Sequence, residues 1–145
     1  MHPFPHTYPV AASASHDSAV SLTSPGVEAI ESMGPVEFGG PGDRWSPESL
    51  LVASVADCFV LSFRAISRAA RLDWSNLECE VYGVLDKVDG VTRFIRFDVE
   101  ARLEVPEGTS ASKAEKLLHR AERSCLITNS LSGECTLKLS ISIVE

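Results

Sequence analysis

Cysteines, histidines and one glutamate are the residues of this 145-residue chain whose types could do chemistry. Cys58, Cys79, Cys125 and Cys135 are widely spaced and form no C-x-x-C pair. In a reducing compartment such thiols serve as core residues, metal ligands or redox groups. The histidines, His2, His6, His16 and His119, have no cysteine partners at zinc-ligand spacing. His2 and His6 are four residues apart, but Pro3 and Pro5 forbid a helix between them, so no metal site is expected. Cys58 lies in an apolar helical stretch, where a cysteine commonly acts as a small hydrophobe. Cys125 reads equally as a core contact at a helix end. Two cysteines 67 residues apart act together only if the fold joins them.

The element that carries Cys58 runs from Trp45 to Leu72 (WSPESLLVASVADCFVLSFRAISRAARL). It reads as one long helix over residues 47–71. Ser46 is a good N-cap, Pro47 a good first helical residue, and Glu48 suits the positive end of the helix dipole. Between Leu50 and Phe63 only Ser54, Asp57 and Ser62 interrupt the apolar residues, so the helix is expected to be buried all round. Either the rest of the chain or a second subunit must cover it. Asp57 adjoins Cys58, but neighbouring helical residues diverge by about 100° and it should point away.

Upstream, residues 1–7 read as a loose arm or an edge strand. Strands are expected at Tyr8–Ala14, Ala19–Thr23 and Val27–Ser32, followed by a Gly- and Pro-rich loop, Met33–Asp43. Downstream, Leu77, Cys79, Val81, Gly83 and Leu85 alternate with polar neighbours, as do Ile95, Phe97, Val99, Ala101 and Leu103. Asp89-Gly90 supplies the turn of an antiparallel hairpin. A second helix is expected from Lys113 to about Arg123, with Ser112 and Glu115 as a capping box and Cys125 at its end on the core side. A last strand places Leu137, Leu139, Ile141 and Ile143 on one face. Cys79 and Cys135 fall on strands and read as structural. The order of elements implies one α+β domain over residues 1–145, with helices packed on curved antiparallel sheet.

Composition narrows the function. A formal net charge of −7 argues against nucleic-acid and anionic-membrane partners. The longest apolar run carries Asp57 and Arg64 and reads as too short and too polar to span a bilayer. The N-terminus lacks the basic-then-apolar pattern of a secretory signal, so a soluble cytoplasmic protein is expected.

The segment S-P-E-S-L-L-V-A-S-V-A-D-C-F (46–59), preceded by E-F-G-G (37–40), resembles the core motif of the OsmC/Ohr family, the osmotically inducible protein C and organic hydroperoxide resistance proteins. A-E-R-S-C-L-I-T-N-S-L (121–131) resembles the second cysteine motif of that family. The resemblance implies an OsmC-like fold, with curved sheets wrapped around a long buried central helix in an intertwined homodimer. It also implies thiol-dependent reduction of organic hydroperoxides, with no cofactor. Cys58 then matches the peroxidatic cysteine, Cys125 the resolving cysteine and Glu48 the acidic residue of the site. The implied cycle passes through a Cys58 sulfenic acid and a Cys58–Cys125 disulfide, which an external dithiol, a lipoylated protein in the hydroperoxide-resistance branch, reduces. Phe59 and Phe63 are the expected apolar lining of the substrate pocket.

Three features refine the expectation. Glu48 and Cys58 lie roughly 15 Å apart along one helix, so a shared site would need Glu48 from the other subunit. Hydroperoxide reductases of the family carry a thiolate-stabilising arginine in an N-terminal turn. This chain has no arginine before Arg44, and the matching turn reads S-H-D-S, leaving His16 and Arg44 as thiolate-activating candidates. Leu126 stands where the hydroperoxide-resistance branch has proline, which points to an OsmC-like subgroup. The alternative of a different class is a non-catalytic dimer holding an apolar small molecule, with Cys58 a buried thiol.

Overall fold

The computed structural model describes all 145 residues. They form two compact units, Met1–Leu50 and Leu51–Glu145. The first holds three short strands, β1 (Ala11–Ser13), β2 (Val20–Thr23) and β3 (Ile30–Ser32), in an antiparallel sheet of order β1-β2-β3. The strands are shorter than the apolar runs suggested. Residues 1–10 lie exposed outside the sheet, and β3 begins only at Ile30. The Gly- and Pro-rich loop contains a single 3-10 turn, Val36–Phe38. It returns to β3 through a parallel bridge between Ser32 and Trp45, where the Met33 N–H donates to the Trp45 carbonyl at 2.9 Å.

Helix α1 follows, Pro47–Ala69. Buried Ser46 caps it as expected: its hydroxyl accepts from the Ser49 N–H at 3.1 Å, and the Ser49 hydroxyl accepts from the Ser46 N–H at 2.9 Å. The helix stops two residues earlier than expected, because Arg71 turns to φ 53°. The Leu72 N–H then reaches the Ser67 carbonyl and the Arg71 N–H that of Arg68, the pairing of a Schellman motif. Glycine usually marks that position, so an arginine there hid the stop.

The second unit is built on a sheet of order β4-β5-β6, with β4 Asn76–Val88, β5 Val91–Pro106 and β6 Glu134–Val144. Asp89 (φ 52°) and Gly90 (φ 79°) close the β4–β5 hairpin in the two-residue turn that the sequence signals. Two corrections concern this sheet. First, β6 pairs with β5 in parallel, so the sheet is mixed rather than antiparallel. The crossover is α2 (Ala111–Ser124), which carries the chain back to the starting edge of β5. Second, the ladder slips between Val84 and Leu85, which pair with Arg96 and Phe94. The extra residue is Ile95. This bulge turns Phe94 to the core, where it stacks on Phe97 at 5.3 Å, in the place expected of Ile95.

Both helices pack on the apolar face of this sheet. Helix α1 contributes Val55, Phe59, Phe63 and Ser67, a stripe at i, i+4 spacing, and α2 contributes Ala114, Leu117, Leu118 and Ala121. They meet Phe97, Val99, Ala101, Leu103 and Val105 of the central strand in one core. Phe63 is wholly buried with its ring edge-on to Trp74 at 5.5 Å, and the Trp74 indole N–H donates to Ser67 at 2.9 Å. The helix is therefore buried along one stripe and not all round: Leu61 is 50% exposed. By length and composition α1 is apolar enough to cross a membrane, contrary to the expectation from Asp57 and Arg64, but its largest apolar side chains are in this core. Helix α2 starts two residues before the expected point. Ser110, not Ser112, is the N-cap and accepts from the Lys113 N–H at 3.2 Å.

Gly83 marks where α1 crosses β4. A Cβ there would collide with Val52 Cγ2 and lie 2.9 Å from a Phe94 ring carbon. Gly83→Val is expected to destabilise the fold by about 1–3 kcal/mol, through overpacking between helix and strand. A urea denaturation midpoint unchanged from that of the parent would contradict this contact.

Candidate active site

Cys58 is half-buried beside the Val55–Phe59 stripe of α1. One turn on, the Ser62 hydroxyl lies 3.8 Å from its sulfur. Cys125 is the C-cap of α2, 2% exposed. Here the chain folds into a 3-10 turn, Thr128–Ser130, because the Cys125 carbonyl accepts from the Asn129 N–H at 3.0 Å and the Thr128 hydroxyl at 3.1 Å. The turn brings the backbone of Leu126 and Ile127 and the Cys125 thiol into the neighbourhood of Cys58.

These neighbours separate the two thiols electrostatically. Burial raises the Cys58 pKa, but the Ile127 N–H, the Cys125 thiol, the Ser62 hydroxyl and the Leu126 N–H favour the thiolate and together hold it below the ordinary value. Burial raises the pKa of Cys125, and although the Thr128 N–H and hydroxyl pull it down, the neighbouring Cys58 adds to the rise. Asp57 is exposed, as its position one residue along the helix requires. Alkylation of Cys58 by iodoacetamide, followed against pH, is expected to show a midpoint below that of an ordinary thiol. The midpoint should move up in Ser62→Ala, and an unshifted profile in both proteins would contradict the donor set.

Next to Cys125 runs a crevice too narrow to admit water, lined by Val55, Phe59, Val99, Glu122, Cys125, Thr128 and Cys135. Phe59 lines this crevice, whereas Phe63 is packed against Trp74 and does not. Among the other sequence-derived residues, Glu48 sits in the first turn of α1, and its Oε2 is buried without a hydrogen-bond partner. Arg44 is held by Glu31 at 3.2 Å and Asp43 at 3.1 Å. His16 is exposed beside Asp17. Ser62 and the 126–128 backbone were missed from sequence. The i, i+4 spacing of Ser62 from Cys58 was a usable signal, whereas backbone donors leave none.

Residues 40–140 match the family model described as OsmC-like protein. The chain belongs to the OsmC-like family. An OsmC-like protein of unknown function from Vibrio cholerae superposes with a TM-score of 0.85 at 20% identity, covering 94% of this chain and 100% of that one. An organic hydroperoxide resistance protein from Legionella pneumophila gives 0.72 at 24% identity, over 97% and 99% of the two chains. The organic hydroperoxide resistance protein OhrB of Bacillus subtilis gives 0.67 at 22%, over 94% and 98%. These likenesses establish the α+β OsmC fold. In sequence, the chain is 26% identical over 112 residues to the uncharacterized protein YmaD of Bacillus subtilis, 75% of each.

Proposed function

We propose that this OsmC-like chain is a cysteine-based reductase of organic hydroperoxides, acting in a reducing cytoplasm. The observation that supports the reading is that Cys58 and Cys125 are neighbours, with the Ser62 hydroxyl 3.8 Å from the Cys58 sulfur and the Cys58 pKa below its ordinary value. The Cys58 thiolate attacks the O–O bond, releasing an alcohol and leaving a sulfenic acid. Cys125 condenses with it, losing water, and the resulting disulfide is returned to thiols by an external dithiol. In this reading backbone and hydroxyl dipoles help to ionise Cys58, and His16 and Arg44 stay candidates for the same part. Arg44 is already paired with two carboxylates.

The functional unit in this reading is a homodimer of 145-residue chains. Leu61 on the open side of α1 and the unpartnered Glu48 Oε2 both suit coverage by a second copy. Helical spacing then gives Glu48 to the Cys58 of the other subunit. Sedimentation equilibrium returning a monomer mass would contradict this part. A non-catalytic binder of apolar molecules needs neither thiol, so the presence of both Cys58 and Cys125 supports the enzyme over that alternative.

The test is steady-state reduction of cumene hydroperoxide and of hydrogen peroxide with a dithiol donor. The apolar surroundings of Phe59 and Val55 predict the faster rate for cumene hydroperoxide. Comparable rates would count against an organic substrate, and no turnover of either would defeat the enzyme reading.

A further inference from the structure

We propose that Cys135 is a third redox thiol of this centre, which converts the Cys58–Cys125 disulfide into a Cys125–Cys135 bridge across their shared crevice and so returns Cys58 to its reduced form. The inference rests on the peroxidase reading above and extends it. Cys125 has two thiol neighbours: Cys58, whose titration it influences, and Cys135, which lines the same crevice. Register fixes Cys135 there. It is the first inward residue of β6, opposite Phe97 of the central strand, and packs against the core under α2. The chain from 126 to 134 that links the two thiols is a short turn-containing segment, so bringing its ends together costs little entropy.

The exchange balances without any outside reagent. The Cys135 thiolate attacks Cys125 Sγ. The Cys125–Cys135 bond forms as the Cys58–Cys125 bond breaks, and the electron pair leaves on Cys58 Sγ. The Glu122 carboxylate, on the wall of the same crevice, is placed to take the Cys135 proton. The leaving sulfur is the one whose thiolate is favoured. Cys58 is held below its ordinary pKa, while burial, helped by the charge of Glu122, pushes Cys135 up to about 11. Thiols of lower pKa leave faster, so exchange runs toward free Cys58, slowly, because little of Cys135 is thiolate at neutral pH. Cys79, pushed up to about 11 by burial and by the nearby Cys125 and Cys135, pairs with Ala101 on the far side of β5 from β6 and lines no part of the crevice.

The experiment gives the reduced wild-type protein one equivalent of cumene hydroperoxide without reductant, quenches samples in acid at intervals, and maps disulfide-linked peptides. A Cys58–Cys125 bridge is expected first. It gives way to Cys125–Cys135 at a rate rising about tenfold per pH unit between about pH 7 and 9, as the thiolate fraction does. Cys58 should recover its reactivity with iodoacetamide in step, and Cys135→Ser should keep the first bridge. A Cys58–Cys125 bridge that persists at every pH, or that passes to Cys79, overturns the exchange and leaves the peroxidase reading intact. Absence of any bridge containing Cys58 overturns both.

Discussion

Cys58→Ser is expected to lower the rate of cumene hydroperoxide reduction by on the order of a thousandfold or more, because it removes the nucleophile itself. Its folding should be nearly unchanged, since Cys58 lies beside the buried stripe of α1 and outside it. Cys125→Ala should behave differently, and the contrast is the informative part. The first attack on peroxide survives, so a single turnover in rapid-mixing experiments still releases alcohol. Multiple turnover fails, because the Cys58 sulfenic acid finds no neighbouring thiol and further peroxide carries it to sulfinic acid. Loss of the Cys125 donor also raises the Cys58 pKa, so the single-turnover rate at neutral pH falls. Equal loss of the first and later turnovers in Cys125→Ala would contradict the division of labour between the two thiols.

Phe63→Ala is expected to cost about 3–5 kcal/mol of stability, a large share of the 5–15 kcal/mol that holds a typical domain together. Phe63 has no exposed surface and closes on Trp74. Removing its ring leaves a cavity between α1 and the sheet and frees the indole that Ser67 anchors. The fall should appear as a lower urea midpoint with an unchanged slope. The same substitution would instead raise KM with little effect on stability if Phe63 lined an open substrate pocket. Phe59→Ala should show both effects, since Phe59 is buried and also forms a wall of the Cys125 crevice.

Local patterns in the sequence were read correctly where local forces decide. Ser46-Pro47 starts α1, because capping and fixed φ act within a few residues. Asp89-Gly90 turns the hairpin, because only certain residues adopt positive φ in adjacent positions. Alternation along β4 and most of β5 marks the buried face. The misreadings came from interactions that no short window contains. The direction of β6 depends on α2 acting as a crossover. Phe94 faces the core because a bulge at Ile95 inverts the alternation. Arg71 ends α1 in a conformation normally left to glycine. The all-round apolarity of α1 marked a helix with several faces to satisfy, yet within one chain only one stripe is covered. In the candidate site, the resemblance to a family singled out Cys58 and Cys125. Part of their surroundings is hidden, because two of the groups that favour the Cys58 thiolate are backbone N–H groups of Leu126 and Ile127, which any residue type supplies. Cys135 read as structural from its place at a strand start, and only the packing of β6 beneath α2 brings it to the same crevice as Cys125.

In the proposed function Cys58 and Cys125 form one peroxide-reducing pair. The most direct test treats the reduced protein with one equivalent of cumene hydroperoxide, quenches it in acid within seconds, and reads intact mass and linked peptides beside a Cys58→Ser control. Loss of two hydrogens, mapped to a Cys58–Cys125 bridge and absent from the control, is the predicted result. Unmodified thiols, or a bridge that forms equally well without Cys58, would contradict it.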